Sequence, residues 1–359
     1  MINRPANILV TLDSMKNPNT GLFYFGYSLA QALLKLQKKS DLELNFYLPK
    51  KGTPLFKGKP NTIRHNEFYK YYFPKRNKFD LTHFTDQICR LKPTKVLGKK
   101  IITIHDLNVL YENKELSNNH IAYLERLGNY IGYCDRVVAI SKFVASDILK
   151  HFPQAKNKIE VVYNGADELT VDKTHIPDYL PQKPFIFSIG ELLAKKNFHV
   201  LPALLEDNDY ELVISGNHHP SDYESKIVEA AQSLGFKDRL KITGPITDKD
   251  KAWYYNNCLA FAFPSIAEGF GLPIIEAMHF GKPVFLSTHT AVPEVGGDAA
   301  FYFKNFSQAH MQQVFKEGLE KFNSDPTLKQ KAKLRAAEFT WEKAAASYLR
   351  IYDELLNKN

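Results

Sequence analysis

Cysteine is scarce: Cys89, Cys134 and Cys258 are the only three in 359 residues. They are odd in number, far apart and without a C-x-x-C pair, which argues against a disulfide framework or a cysteine zinc site and fits reduced thiols filling a cytoplasmic core. Long apolar runs are missing too; nothing approaches the roughly 20 residues that cross a bilayer. The opening Met1-Ile2-Asn3-Arg4-Pro5 leads into Ile8-Leu9-Val10-Thr11-Leu12, too short for the apolar region of a signal peptide, so the expectation is a first strand and no leader. No repeat or low-complexity tract is visible. No G-x-G-x-x-G follows the first strand, which weighs against a nicotinamide dehydrogenase but leaves other nucleotide ligands open.

The composition that is present, 44% hydrophobic and 24% charged, is that of an ordinary globular chain. Its length exceeds one ordinary core and gives an expectation of about two domains. The net charge of +8 is unevenly spread: residues 1–168 hold 26 Lys and Arg against 15 Asp and Glu, and the remainder 21 against 24. The excess gathers in Phe68-Tyr69-Lys70-Tyr71-Tyr72-Phe73-Pro74-Lys75-Arg76-Asn77-Lys78 and at Lys92, Lys95, Lys99 and Lys100. A basic, aromatic surface suits nucleic acid, anionic lipid or an acidic substrate, or is simply solvated.

Short β-branched runs alternate with amphipathic stretches along the chain. Strands are expected at Ile8–Leu12, Leu42–Leu48, Leu81–Phe84, Ile101–Ile104, Val137–Ile140 and Ile159–Tyr163, with helices over Gly21–Gln37, Ser117–Tyr133 and Lys142–His151. Periodicity fails between Asp167 and Lys183, and the alternation restarts at Phe185–Ile189, Glu211–Ile214, Leu240–Ile242, Leu259–Phe263 and Val284–Leu286. The pattern implies an α/β fold of two doubly wound domains: residues 1–168, a linker at 169–183, residues 184–340, and a C-terminal helix from 341 to 359. Ligands of such sheets sit beyond the carboxyl ends of the strands.

The stretch Pro264-Ser265-Ile266-Ala267-Glu268-Gly269-Phe270-Gly271-Leu272-Pro273 carries the most chemistry. Gly269 and Gly271 let backbone approach a ligand, and Pro273 suits a helix start, with Gly281 as its left-handed end. Free N–H groups and the positive dipole end there would suit a diphosphate. The glutamates are more plausible as acceptors for sugar hydroxyls, Glu276 one turn into the helix and Glu268 on the loop; the bland alternative makes them a helix-dipole partner and a surface residue. After the strand Phe185–Ile189, Gly190-Glu191-Leu192-Leu193-Ala194-Lys195-Lys196-Asn197-Phe198 again suggests strand, loop and helix, with a lysine placed to neutralise a leaving diphosphate, or two solvated lysines. His105 ends the strand before Asp106, as a cleft group or a structural histidine. Asn19-Thr20-Gly21 opens a helix whose N–H groups are candidates for a ligand. Asp207-Asn208-Asp209 and Asp248-Lys249-Asp250 read as turn and cap rather than as metal ligands.

These residues resemble a known family. Pro264-Ser265, the E-x7-E of Glu268 and Glu276, Glu294-Val295-Gly296-Gly297 with Ala299-Ala300, and Lys196-Asn197 are similar to the donor domain of retaining glycosyltransferases of family 4, which have the GT-B fold. Ile104-His105-Asp106, Ser141-Lys142-Phe143, Val162-Tyr163-Asn164-Gly165 and Phe339-Thr340-Trp341-Glu342-Lys343-Ala344 resemble the same family, so the likeness runs almost end to end and is weakest between Leu48 and Leu97. The resemblance implies two Rossmann-like domains facing a central cleft, with the last helix crossing back to the first. It implies that Glu276 holds ribose hydroxyls and that Glu268, with the backbone of Gly269, Phe270, Gly271 and Leu272, holds the donor sugar. Lys196 would contact the diphosphate, Gly21 would lie against it or the acceptor, and His105 would contact the transferred sugar. Gly190, Lys195 and Asn197 would complete the diphosphate loop, and Thr243-Gly244-Pro245-Ile246 would border the base.

The resemblance further implies a retaining, metal-independent transfer of a hexose, of mannose or glucose type, from a GDP- or UDP-linked donor to a glycan or lipid-linked acceptor. No cofactor is expected, and lipopolysaccharide or other cell-surface polysaccharide synthesis is the implied setting. The expected location is the cytoplasm, with peripheral contact to the inner face of the membrane through the basic first domain. Glu191 departs from the family pattern, which has arginine there; either Glu191 turns away or another cation such as Lys195 replaces the arginine, and the rival reading is a chain that binds the nucleotide sugar with impaired catalysis. An epimerase on the same fold is disfavoured by the E-x7-E and the Trp341 tail. A nucleic-acid-binding protein is the remaining rival, but no recognisable module accompanies the lysines, and no nucleic-acid partner is expected.

Overall fold

The computed structural model describes residues 4–16, 20–37, 41–50, 56, 60–112, 115–218 and 222–357. The chain divides into two compact units, Met1–Gly165 with Phe339–Asn359 and Ala166–Glu338.

In the first unit, strands β1 (Ala6–Thr11), β2 (Leu42–Leu48), β3 (Asn61–Arg64), β4 (Leu81–Phe84), β5 (Lys99–Ile104), β6 (Arg136–Ala139) and β7 (Ile159–Val161) form one parallel sheet in the order β3-β2-β1-β4-β5-β6-β7. Its helices are α1 (Gly21–Gln37), the short α2 (Val109–Glu112), α3 (Asn118–Tyr133) and α4 (Lys142–His151). Capping fixes their starts: Ser117 accepts from the His120 N–H, and Ser141 accepts from the Val144 N–H at 3.1 Å. β3 escapes sequence reading because Asn-Thr-Ile-Arg is an edge strand with one buried side chain.

The second unit repeats the plan. Strands β8 (Phe185–Ile189), β9 (Glu211–Ser215), β10 (Leu240–Gly244), β11 (Ala260–Phe263), β12 (Val284–Ser287) and β13 (Phe301–Phe303) make a parallel sheet in the order β10-β9-β8-β11-β12-β13. Helices α5 (Tyr223–Ser233), α6 (Asp248–Asn257), α7 (Leu272–His279), α8 (Val292–Gly296), α9 (Gln308–Ser324) and α10 (Thr327–Ala336) follow. β11, Ala-Phe-Ala-Phe, is buried at every position, the continuous apolar run that a strand covered on both faces requires. The segment after β8 is not the α-helix expected from sequence. Ala194–Lys196 and Phe198–Leu205 are 3-10 turns hinged on Asn197 at φ 58°, because Pro202 has no N–H for an α-helical bond. The aperiodic stretch before β8 is tied to this unit by Lys249–Asp172 at 2.9 Å, His175–Asp250 at 2.6 Å and the Tyr179 hydroxyl on Glu211.

The last helix, α11 (Trp341–Asn357), belongs to the first unit. Its buried stripe of Trp341, Ala344, Ala345, Tyr348, Ile351, Tyr352 and Leu355 follows helical spacing and packs against α1. At Gly165 a β-carbon would stand 2.2 Å from the Trp341 nitrogen, so only glycine lets the helix start this close. The ring of His83 on β4 links Tyr352 at 2.7 Å to Thr103 at 2.8 Å, and Thr103 meets Tyr348 at 2.9 Å, a fully buried polar chain joining helix and sheet. All three cysteines are buried, and burial pushes the Cys134 and Cys258 thiols up to about 12. Among the described residues no helix is long and apolar enough to cross a membrane.

Candidate active site

In the second sheet the connections run outward in opposite directions from β8, so β8 and β11 lie side by side at the topological switch point. A crevice beyond their carboxyl ends is where doubly wound sheets bind ligands. Two loops meet there. The Ile266 N–H donates to the Lys195 carbonyl at 2.8 Å, and the Ser265 hydroxyl lies 3.1 Å from the same oxygen. That stitching brings Lys196 onto Glu268: their side chains form an ion pair across 72 residues of sequence, each with 13% of its surface exposed. The Lys196 ammonium also lies 5.1 Å from the centre of the Phe263 ring.

Glu268 is held from three sides. Ser265 Oγ donates to its Oε1 at 2.7 Å, its N–H donates to Thr290 Oγ1 at 2.9 Å, and its carbonyl accepts from the Ala291 N–H at 3.3 Å. Thr290 makes that contact at φ 51°, a left-handed conformation that a β-branched residue adopts at a cost of about 1–2 kcal/mol. Behind Glu268 the chain turns through Gly269, Phe270 and Gly271, the last at φ 111°, into Leu272 and α7, which starts without a side-chain cap. Pro273 falls in its first turn and Gly281 ends it at φ 64°.

One turn into α7, Glu276 accepts from Lys251 Nζ at 2.9 Å and from the Tyr255 hydroxyl at 2.9 Å. Tyr255 is fully buried, and burial with the neighbouring carboxylate raises its hydroxyl well above the ordinary tyrosine value. Lys251 and Tyr255 are four apart on α6 and therefore reach the same neighbour. Sequence reading missed both, although their i,i+4 spacing was the available signal; it also missed the positioning hydroxyls of Ser265 and Thr290.

The neighbouring strand ends are packed close. Gly190 donates to the Ser215 carbonyl at 2.9 Å, and a β-carbon on Gly216 would lie 1.7 Å from the Gly190 oxygen. Gly244, at φ 75°, faces the His218 imidazole; beyond it Pro245 is exposed and Ile246 half-buried. Asn197 is buried, Lys195 is half-buried, and Glu191 is exposed. Asn208 closes the turn between strand and preceding segment, donating to Leu204 and Glu206 carbonyls, while Thr247 and Asp250 form a capping box on α6. Among the described residues no cluster of three or more His, Cys, Asp or Glu is placed to hold a metal ion.

His105 and Gly21 belong to the first unit. His105 directly follows β5 and is buried; its Nε2 faces the Thr85 carbonyl at 2.8 Å and must carry the hydrogen, which leaves Nδ1 to accept when the ring is neutral. Its backbone N–H donates to Gln87 at 2.9 Å, and its ring meets Phe25 of α1 edge-on at 4.5 Å. Gly21 is the exposed first residue of that same helix, with nothing within 4 Å of a β-carbon, so no crowding demands glycine there. Thr20 caps the helix, its hydroxyl accepting from Phe23; Asn19 lies outside the described residues.

Comparison with known proteins agrees with this architecture. Residues 28–168 match the family model described as Glycosyltransferase Family 4, and residues 173–339 match that of the Glycosyl transferases group 1. The chain is 28% identical over 286 residues to the serotype-specific mannosyltransferase WbdA of Escherichia coli, covering 73% of this chain and 34% of that protein. It thus spans about a third of the length of the first curated relatives it matches. It is 24% identical over 319 residues to the O-antigen chain mannosyltransferase B of Escherichia coli, covering 80% of this chain and 79% of that one. Among solved structures, Anabaena Alr3699/HepE in complex with UDP and glucose superposes with a TM-score of 0.71 at 17% identity, covering 96% and 99% of the two chains. With both domain models matched in order, two parallel Rossmann-like sheets and neighbours of this fold, the chain belongs to the family 4 glycosyltransferases of the GT-B class.

Proposed function

We propose that this protein transfers a hexose, of mannose or glucose type, from a GDP- or UDP-linked donor to a glycan or lipid-linked acceptor in lipopolysaccharide or related cell-surface polysaccharide synthesis. The observation that carries the reading is the Lys196–Glu268 pair at the switch point of the second sheet, beside the uncapped start of α7. A cation and a helix N-terminus suit a diphosphate, and a glutamate anchored by Ser265 and Thr290 suits sugar hydroxyls. The relatives' names add support: two act as mannosyltransferases, and one neighbour binds UDP and glucose.

The proposed mechanism is retaining and metal-independent. The bond from the anomeric carbon to the diphosphate loosens, Lys196 and the α7 dipole stabilise the departing charge, and a departing phosphate oxygen takes the acceptor's proton on the same face. Glu276 receives the ribose hydroxyls, the Thr243–Ile246 loop borders the base, and His105 contacts the sugar through Nδ1. The protein works at the cytoplasmic face of the membrane that carries its acceptor.

The test is a thermal-shift and transfer screen of UDP-, GDP- and ADP-sugars with membrane-derived glycolipid acceptors. One donor stabilises the protein and is consumed; no stabilisation and no transfer by any of them overturns the reading. Inversion of the anomeric configuration in the product overturns retention, and loss of activity in EDTA restored by magnesium overturns metal independence. The exposed Glu191 favours a second reading, a protein that binds the nucleotide sugar without turning it over; binding without hydrolysis or transfer would establish it.

A further inference from the structure

His218 and Glu224 form a second polar pair in this unit, away from Lys196 and Glu268. His218 lies just past β9, and its Nδ1 stands 2.5 Å from Oε2 of Glu224 in the first turn of α5. The two side chains are 58% and 42% exposed, and an exposed pair of this kind does little for stability. Its setting is nevertheless fixed. The Gly216 N–H donates to the Gly244 carbonyl at 2.9 Å, the Leu192 N–H donates to the Asn217 carbonyl at 3.1 Å, and the Thr243 hydroxyl donates to Ser215 Oγ at 2.8 Å. These bonds stitch the ends of β8, β9 and β10 together and set the imidazole over Gly244, where a β-carbon would stand 3.1 Å from Nε2.

A nucleotide held as proposed above leads to the same place. Ribose hydroxyls on Glu276 lie beside Lys251, in the first turns of α6, and α6 follows directly on Thr243–Ile246. The base attached to that ribose therefore reaches the end of β10, two strands beyond β8 in the sheet order, about 10 Å at the usual spacing. His218 stands at that end. Nδ1 faces a carboxylate, which only accepts, so Nδ1 carries the hydrogen and Nε2 of the neutral ring is an acceptor. Among the described residues Nε2 has no hydrogen-bond partner. An acceptor there suits guanine, whose edge offers two donors side by side, N1–H and the 2-amino group. Uracil offers one N–H between two carbonyl oxygens and adenine an amino group beside an unprotonated ring nitrogen, so each sets a lone pair against that of Nε2.

We propose that His218, held in this tautomer by Glu224, reads the base of the donor and selects guanine, so that the donor is a GDP-linked sugar. The inference rests on the donor-site reading and names its substrate; Glu224 touches no ligand and is a positioning residue. Calorimetry of the full chain with GDP, UDP and ADP tests it. GDP is expected to bind about ten-fold more tightly than either of the others. His218→Ala should weaken GDP on the order of ten-fold and leave UDP and ADP as they were. Its thermal unfolding midpoint should not change, because the side chain is mostly exposed. Glu224→Ala should weaken GDP binding by itself but add nothing beside His218→Ala, an outcome that a merely structural role for Glu224 does not produce. A preference for UDP or ADP, a GDP preference that survives His218→Ala, or a loss of the same factor for all three nucleotides overturns the assignment of His218 while the donor site stands. Failure of all three to bind the unaltered protein overturns the donor-site reading and this inference with it, so the two failures are told apart.

Discussion

Acidification should loosen α11 from the first unit through one histidine. His83 is completely buried on β4, and burial, with a smaller contribution from His105, brings its pKa from 6.5 down to about 3. In the neutral ring one nitrogen donates and the other accepts, which suits the chain from Tyr352 through His83 to Thr103 and Tyr348. Below pH 6.5 the unfolded chain takes up a proton at this position that the folded chain refuses until about pH 3. The contribution to stability is therefore complete above 6.5 and lost progressively as the pH falls through that window, at up to about 1.4 kcal/mol per unit. Between pH 7 and pH 5 the loss is about 2 kcal/mol. Urea unfolding followed by Trp341 fluorescence, in a Trp253→Phe background, reads this unit, because Trp341 opens α11. His83→Gln should be destabilised at neutral pH by roughly 1–3 kcal/mol, since it leaves part of the chain unsatisfied. Its disadvantage should shrink by about 2 kcal/mol at pH 5, because the variant has no proton to refuse. A stability gap between the two proteins that stays constant from pH 7 to pH 5 refutes the reasoning.

Lys196→Ala should lower sugar transfer by about 100- to 1000-fold with the fold intact by circular dichroism, as removal of a charge-stabilising donor does elsewhere; near-normal turnover would remove this lysine from the mechanism. Lys251→Ala frees Glu276 from this ion pair while Tyr255 still holds it. The variant should bind the ribonucleotide donor about ten-fold more weakly and lose much of its preference over the 2′-deoxy donor; calorimetry with the two donors reads this, and an unchanged ratio refutes the assigned role. Gly216→Ala drives a β-carbon into the Gly190 carbonyl, a backbone group that cannot swing aside. A loss of about 2 kcal/mol or more is expected in denaturant titration of the second unit.

The helices and inner strands were legible because their signals are local. Gly21–Gln37 and Lys142–His151 keep their bounds, since an apolar stripe and a serine cap act within a few residues. What escaped depends on partners distant in sequence. β3 is a strand because the edge of β2 was open, and β13 because β12 was, and neither Asn-Thr-Ile-Arg nor Phe-Tyr-Phe shows that alone. The turn at Asn197 defeated the expectation of a helix after β8, although Pro202 carried the warning. At the site the sequence singled out the two loops that follow β8 and β11, but not that Lys196 would be seated on Glu268. That contact follows from the pairing of β8 with β11 and the bonds that Lys195 accepts, neither of which has a signature in composition or spacing.

The ion pair bears directly on how a donor would enter. Lys196, proposed to meet the diphosphate, already has a carboxylate partner, so binding must exchange one anion for another. A diphosphate carries more charge than a carboxylate, which favours the exchange, but it takes the ammonium away from Glu268 Oε1, where the Ser265 hydroxyl still donates, in a mostly buried setting. Sugar hydroxyls would supply the missing hydrogen bonds, which gives the intact donor an advantage over the bare nucleotide beyond its extra contacts. The two ligands should therefore respond in opposite directions to Glu268→Ala. With no carboxylate to displace, the variant should bind nucleoside diphosphate several-fold more tightly than the wild type. With no acceptor for the hydroxyls, it should bind the sugar nucleotide about ten-fold more weakly. Calorimetry with the two ligands decides it: a loss of the same factor for both would mean that Lys196 does not leave Glu268 for phosphate, and the proposed division of labour between them would fall.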